Sequence, residues 1–138
     1  MNDLSWKLQT KIESIPNIGC GLISQIIGKI TDLGWNDSDI FKIHMALEEA
    51  IMNAIKHGNE LDATKEVKVD IKVEADWFHA DIADEGNGFD REDVPDPTLE
   101  QNLLKETGRG VTLIENFMSS VEYIGCGNRI KMSKKKSE

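Results

Sequence analysis

The spacing of apolar positions changes period along the chain, and each change predicts an element. Leu4, Trp6 and Leu8 alternate with polar residues, which predicts a first strand ending near Ile12. Pro16 suits the first turn of a helix running to about Leu33, with Ile18, Leu22, Ile26 and Ile30 on one side and Gly34 closing it. Asn36, Asp37, Ser38 and Asp39 offer N-cap side chains for a second helix, which reaches His57 and stops at Gly58. Its apolar positions Ile40, Ile43, Leu47, Ala50, Ile51 and Ala54 recur at helical spacing.

The period then falls to two. Val67, Val69, Ile71 and Val73 alternate with Lys68, Asp70, Lys72 and Glu74, and a following strand over about 77–83 buries Phe78, Ala80 and Ile82. The two form an antiparallel hairpin turning near Ala75 and Asp76, with one packed face and one wet face. A loop rich in Gly, Asp and Pro runs from Asp84 to about Gly108, a length that usually belongs to function or disorder. Residues 111–118 read as a third helix, followed by strands around 121–126 and 129–132, hinged at Gly127 and Asn128. Helices gathered on one face of a mainly antiparallel sheet make an α+β two-layer sandwich.

Composition narrows the function classes. A chain of 138 residues is one ordinary domain, read here as residues 1–133, with 134–138 a charged tail without order. The net charge of −9 repels phosphate backbones and anionic membranes, so neither nucleic acid nor a membrane is an expected partner. The run Lys134-Lys135-Lys136 is too short to change that and reads as solvated. No basic-then-apolar leader opens the sequence. Gly, Ser24, Gln25 and Lys29 interrupt its longest apolar stretch, so the expectation is a cytoplasmic protein. Cys20 and Cys126 are expected to be free, buried thiols of a reducing compartment.

Three clusters carry chemistry. Glu49, Asn53 and His57 are spaced i, i+4, i+8, one stripe of the second helix, away from the Leu47/Ala54 face. Alone the stripe is the wet side of an amphipathic helix. Because Met45, Met52 and Ile55 make another sector apolar, the carboxylate and amide point to a polar cleft instead. The second cluster, Asp84-Glu85-Gly86-Asn87-Gly88-Phe89, directly follows a strand, and its glycines let backbone approach a ligand. A carboxylate there can accept from an exocyclic amine; the plainer alternative is an acidic turn. The third, Gly108-Arg109-Gly110, opens a helix, where free N–H groups and a partial positive charge attract anions. Arg109 can add a bidentate phosphate contact, or merely offset nearby acids.

Other chemistries fail on particular residues. Gly28-Lys29 resembles the end of a P-loop, but Ile23 stands where glycine is needed and Ile30 where Ser or Thr is needed. There is no G-x-S-x-G elbow. His44, His57, His79 and two distant cysteines give no zinc spacing, and His44 and His79 read as ordinary surface or satisfied histidines.

The order of the clusters is more specific than any one of them. Glu-x-x-x-Asn on a helix, Asp-x-Gly-x-Gly after a strand, a long loop, and Gly-x-Gly at a helix start resemble the layout of the GHKL (histidine-kinase-like) ATPase superfamily. The run from Ala46 to Gly58, AlaLeuGluGluAlaIleMetAsnAlaIleLysHisGly, looks like the N box of the bacterial anti-sigma-factor serine/threonine kinases. The run from Gly108 to Met118 resembles their second glycine box and following helix. The resemblance covers nearly the whole chain.

What the resemblance implies is a Bergerat-type ATP-binding fold and a set of roles. Asn53 would ligate Mg²⁺, a hard cation that keeps several waters and bridges the triphosphate. Asp84 would accept from the adenine amine, with Gly86 and Gly88 letting the base lie against the backbone. Gly108, Arg109 and Gly110 would hold phosphates, Thr112 would help close the pocket, and 90–107 would be the ATP lid. Glu49 would be the general base toward a serine or threonine hydroxyl of a partner; His57 belongs to the box without assigned chemistry. Implied partners are a small antagonist protein as substrate and a sigma factor as target, in a partner-switching system. Family members often pair as homodimers through the first strand and helix, which Trp6 and the apolar face near Ile18 permit. One position departs from the pattern. Glu106 stands where well-known members carry a basic residue near the γ-phosphate, and Arg109 is the residue able to restore that charge. This departure motivates an alternative, a nucleotide-gated module that sequesters a partner without transferring phosphate.

Overall fold

The computed structural model describes residues 5–86, 114–124 and 128–137. Its elements are β1 (Trp6–Glu13), α1 (Pro16–Asp32), α2 (Asp37–Asn53), a π-helical turn (Ala54–Gly58), β2 (Glu66–Val73), β3 (Trp77–Ala83), β4 (Ser120–Ile124) and β5 (Arg129–Lys135). The five strands form one sheet in the order β1-β2-β3-β5-β4. Every pairing is antiparallel. With helices packed on one face, this is the expected α+β sandwich.

Alternation sets the layers. Val67, Val69, Ile71 and Val73 of β2 are buried, as are Phe78, Ala80 and Ile82 of β3, while their sequence neighbours are not. The β2–β3 turn falls where the pattern breaks, with the Glu74 N–H donating to the Trp77 carbonyl. Against this face α1 places Leu22, Ile23, Ile26 and Ile30, and α2 places Ile43, Ala46, Leu47, Ala50 and Ile51. Ile18 was read as part of the α1 stripe but lies outside it, 38% exposed in the first turn. Asn36 caps α2, its carboxamide oxygen accepting from the Asp39 N–H at 2.8 Å. The third helix is seen over 114–117, with Ile114 and Met118 in the core; residues 111–113 lie outside the described residues, as do Leu4 and Cys126. No helix among the described residues is long and apolar enough to cross a membrane.

Three expectations need correction. The α2 helix does not continue unchanged to His57: it ends at Asn53 and widens into the π turn, where the Asn59 N–H reaches back to the Ala54 carbonyl. The widened turn exits through Glu60 and Leu61, both left-handed at φ 52° and 61°. Cys20 is free as expected but exposed. The basic run is not a solvated tail over 134–137. Strand β5 continues to Lys135, so period-two alternation carries Lys134 inward after Ile130 and Met132.

Lys134 is buried because a carboxylate waits for it. Asp39, fully buried in the first turn of α2, lies 3.5 Å from the Lys134 ammonium. It also accepts from the Ser137 N–H at 2.8 Å and the Ser137 hydroxyl at 2.6 Å. Burial pushes the Asp39 carboxyl up, but the two Ser137 bonds and Lys134 outweigh it and hold the group below the usual carboxylate range. A depressed folded pKa means stability that is complete above the unfolded value and lost as pH falls through the folded one. Asp39→Asn leaves the buried ammonium without its counter-charge. It should lower unfolding free energy at pH 7 by about 3 kcal/mol. Urea titrations of both proteins should then converge only as pH falls below the usual carboxylate range and through the depressed folded value, where the native carboxylate is itself neutralised.

Candidate active site

Glu49 and Asn53 stand one helical turn apart on α2, both half-buried, so the first predicted cluster is not on a fully wet helix face. Asn53 is the last residue before the π turn. Such turns are frequent at functional sites. Here the extra residue per turn brings the chain at Gly58 against the loop that follows β3.

That contact is tight enough to dictate residue type. A Cβ on Gly58 would lie 2.3 Å from Cγ and Oδ2 of Asp84. A Cβ on Gly86 would lie 2.0 Å from the Gly58 carbonyl oxygen and 2.9 Å from Oδ1 of Asp84. Neither position has room for a side chain, because the obstructing atoms are backbone or a carboxylate already held in place. The Gly86 N–H donates to Asp84 Oδ1 at 2.8 Å, and the Asp84 N–H donates to the Asn128 carbonyl at 2.9 Å. The structure therefore joins Asp84 and Gly86 to the end of the helix that carries Glu49 and Asn53.

Electrostatics around Asp84 are strained. Burial raises its pKa, while the Gly86 N–H and the Lys65 charge pull it back only in part. A carboxylate that is costly to ionise, yet fixed by its neighbours, is suited to a ligand that donates hydrogen bonds. An open cleft on the wet side of the sheet borders the same residue, lined by Lys11, Glu66, Lys68, Ala83, Asp84 and Glu85. It includes neither Glu49 nor Asn53.

The other predicted site residues, Gly88, Gly108, Arg109, Gly110 and Thr112, lie outside the described residues, as do Glu106 and the span 90–107. His57 is exposed. His79 is satisfied, its Nδ1 2.8 Å from the Ser133 hydroxyl and its Nε2 3.2 Å from Glu74; exposed His44 lies 4.0 Å from Glu48. The sequence reading missed the part played by Gly58, which it took as a helix stop, and by Asn59 and Ser14. The motif run containing Gly58 was a signal for the first. For Ser14 and Asn59 the sequence carries none, since they meet only across the fold.

Comparison with known proteins came out consistently. Residues 22–134 match the family described as the histidine kinase-like ATPase domain. A serine-protein kinase RsbW of Bacillus licheniformis is 33% identical over 116 residues, covering 78% of this chain and 71% of the relative. An anti-sigma F factor of Oceanobacillus iheyensis is 32% identical over 114 residues, covering 79% of this chain and 78% of the relative. Among solved structures, the RsbU and RsbW domains of a Mycobacterium tuberculosis protein align at a TM-score of 0.61 and 15% identity. That alignment covers 95% of this chain and 31% of the other, a likeness of fold.

Proposed function

We infer that this chain, which belongs to the histidine kinase-like ATPase domain family, is an ATP-dependent serine/threonine protein kinase of the anti-sigma-factor type. The observation that carries the site assignment is the packing of Asp84 and Gly86 onto Gly58, at the end of the helix bearing Glu49 and Asn53. In this reading, the proposed amine acceptor, metal-binding amide and carboxylate base lie on adjoining segments. Phosphoryl transfer is largely positioning plus charge stabilisation, so such a set can suffice.

The roles follow from chemistry. Asp84 accepts from the adenine amine, and Gly86 and Gly88 admit the base. Asn53 presents a hard oxygen donor on a half-buried helix face, which fits Mg²⁺ better than a softer metal. When bound, that ion neutralises charge on the triphosphate. Gly108, Arg109 and Gly110 hold phosphate oxygens, and Thr112 closes the pocket. Glu49 takes the proton of the partner's serine or threonine hydroxyl. The freed oxygen attacks the γ-phosphorus, and the bond to the β-phosphate oxygen breaks to release ADP.

The substrate we propose is a small antagonist protein and the alternate partner a sigma factor, both in the cytoplasm. A homodimer through β1 and α1 belongs to the same proposal. Incubation of the chain with γ-labelled ATP, Mg²⁺ and a lysate of its source cell tests the activity. A small labelled protein is the expected result. Absence of label, with ATP occupancy established by calorimetry, favours the sequestering module that Glu106 motivates.

A further inference from the structure

Asn59 is fully buried, and the hydrogen bonds of its carboxamide lead to three different segments. Its Oδ1 accepts from the Glu85 N–H at 2.8 Å. Its Nδ2 donates to the Ser14 hydroxyl at 2.8 Å and to the Glu66 carbonyl at 3.1 Å. Ser14, 1% exposed, passes the connection on by donating to the Lys65 carbonyl at 2.7 Å. The Glu85 carboxylate completes the ring by accepting from the Glu66 N–H. One amide thus cross-braces the chain after β1, the exit of the π turn, the start of β2 and the loop after β3.

We propose that Asn59 is the positioning residue for adenine selection, acting through the loop that carries Asp84. The proposal rests on the ATP-binding reading of Asp84. Three successive peptide N–H groups are fixed across this loop: Asp84 to Asn128, Glu85 to Asn59, and Gly86 to the Asp84 carboxylate itself. The first ties the segment to the chain before β5, and the third closes it on itself. Of the three bonds, the middle one ties it to the helix side of the site, immediately beyond Gly58. An apolar residue could fill the same space without the desolvation cost of a buried amide, but it could not hold a peptide N–H. A carboxamide also supplies the donor–acceptor polarity needed here, acceptor toward Glu85 and donors toward Ser14 and Glu66.

A structural role and a positioning role separate in the ratio of ATP to GTP affinity, because guanine presents a carbonyl where adenine presents the 6-amine to Asp84. Asn59→Leu keeps the branched shape, at a larger volume, and frees the Glu85 N–H. Its ATP affinity should fall about tenfold, the factor that 1.4 kcal/mol represents, while GTP affinity changes little. Asn59→Asp keeps an acceptor for Glu85 and should retain the wild-type ratio, although its melting temperature drops. Ser14→Ala removes only the outer brace, folds readily, and should narrow the ratio to a smaller extent. Calorimetry with Mg-ATP and Mg-GTP, well below each melting temperature, reads all three. An unchanged ratio in Asn59→Leu overturns the proposal, as does one in Ser14→Ala should Asn59→Leu not fold. If the unmutated protein binds both nucleotides alike, the assignment of Asp84 fails, and this proposal with it. If it prefers ATP and the ratio survives the substitutions, only the role of Asn59 fails.

Discussion

Glu49→Gln should abolish phosphate transfer while leaving ATP in place. The change is isosteric and removes the one property the proposed base must have, the capacity to accept a proton at the carboxylate. General-base catalysis contributes about 10²- to 10⁴-fold, so label on the partner should fall by at least about a hundredfold. Glu49 lies one turn before Asn53, on the side of the amide away from Gly58, so the adenine contacts are not disturbed. Calorimetry with Mg-ATP should accordingly give an affinity close to the unmutated one. Transfer that survives unchanged would move the base to another residue; loss of both activities would mean that Glu49 builds the nucleotide site instead of serving the hydroxyl.

The pairing of these two readouts matters because the proposal gives one helix face both tasks. Along α2 the buried positions Ile43, Ala46, Leu47, Ala50 and Ile51 face the sheet, which fixes the rotation of the helix. With that rotation fixed, Glu49 and Asn53 have no freedom to leave the half-buried margin. Core packing therefore places the carboxylate and the amide on that margin.

What could be read in the sequence was whatever repeats locally. Strands β2 and β3 and helices α1 and α2 announced themselves because burial of one face imposes a period that survives without knowledge of the partner. Their boundaries came close for the same reason. Lys134 is instructive: Ile130 and Met132 already set the alternation that turns it inward, yet three consecutive lysines argue for water. Asp39 decided the matter, and it is nearly a hundred residues away in sequence. Asp84 drew notice through its glycines, but Gly58, whose lack of a side chain lets Asp84 and Gly86 pack against the helix end, read as the end of a helix and of a motif run. The constraint on it comes from the carboxylate across the fold. Asn59 and Ser14 were silent because an amide and a hydroxyl without periodic context say nothing about what they join.

Asp84→Asn should uncouple stability from binding in opposite directions. In the native protein burial raises the Asp84 pKa, so its carboxylate is ionised at a cost to folding near neutral pH. For an acid with a raised folded pKa, protonation favours the folded state; that contribution is present at low pH and lost as pH rises through the folded value. Asparagine carries no charge to desolvate and still presents an oxygen to the Gly86 N–H, now held by Asp84 Oδ1 at 2.8 Å. The nucleotide-free variant should therefore melt higher than the unmutated protein at pH 7, and the difference should shrink as pH is lowered through the range where native Asp84 takes up its proton. Binding moves the other way. With its single oxygen given to Gly86, the substituted amide turns its NH₂ toward the adenine amine, donor against donor. Loss of a hydrogen bond to a charged group, at about 1.5–3 kcal/mol, corresponds to an affinity lower by roughly 10- to 150-fold. Thermal melts with and without Mg-ATP would show both effects in one experiment: a higher baseline, and a much smaller upward shift on adding nucleotide. A variant that melted lower without nucleotide would mean that the ionised carboxylate stabilises the loop. The strain at Asp84 would then not be what the site holds in reserve for its ligand.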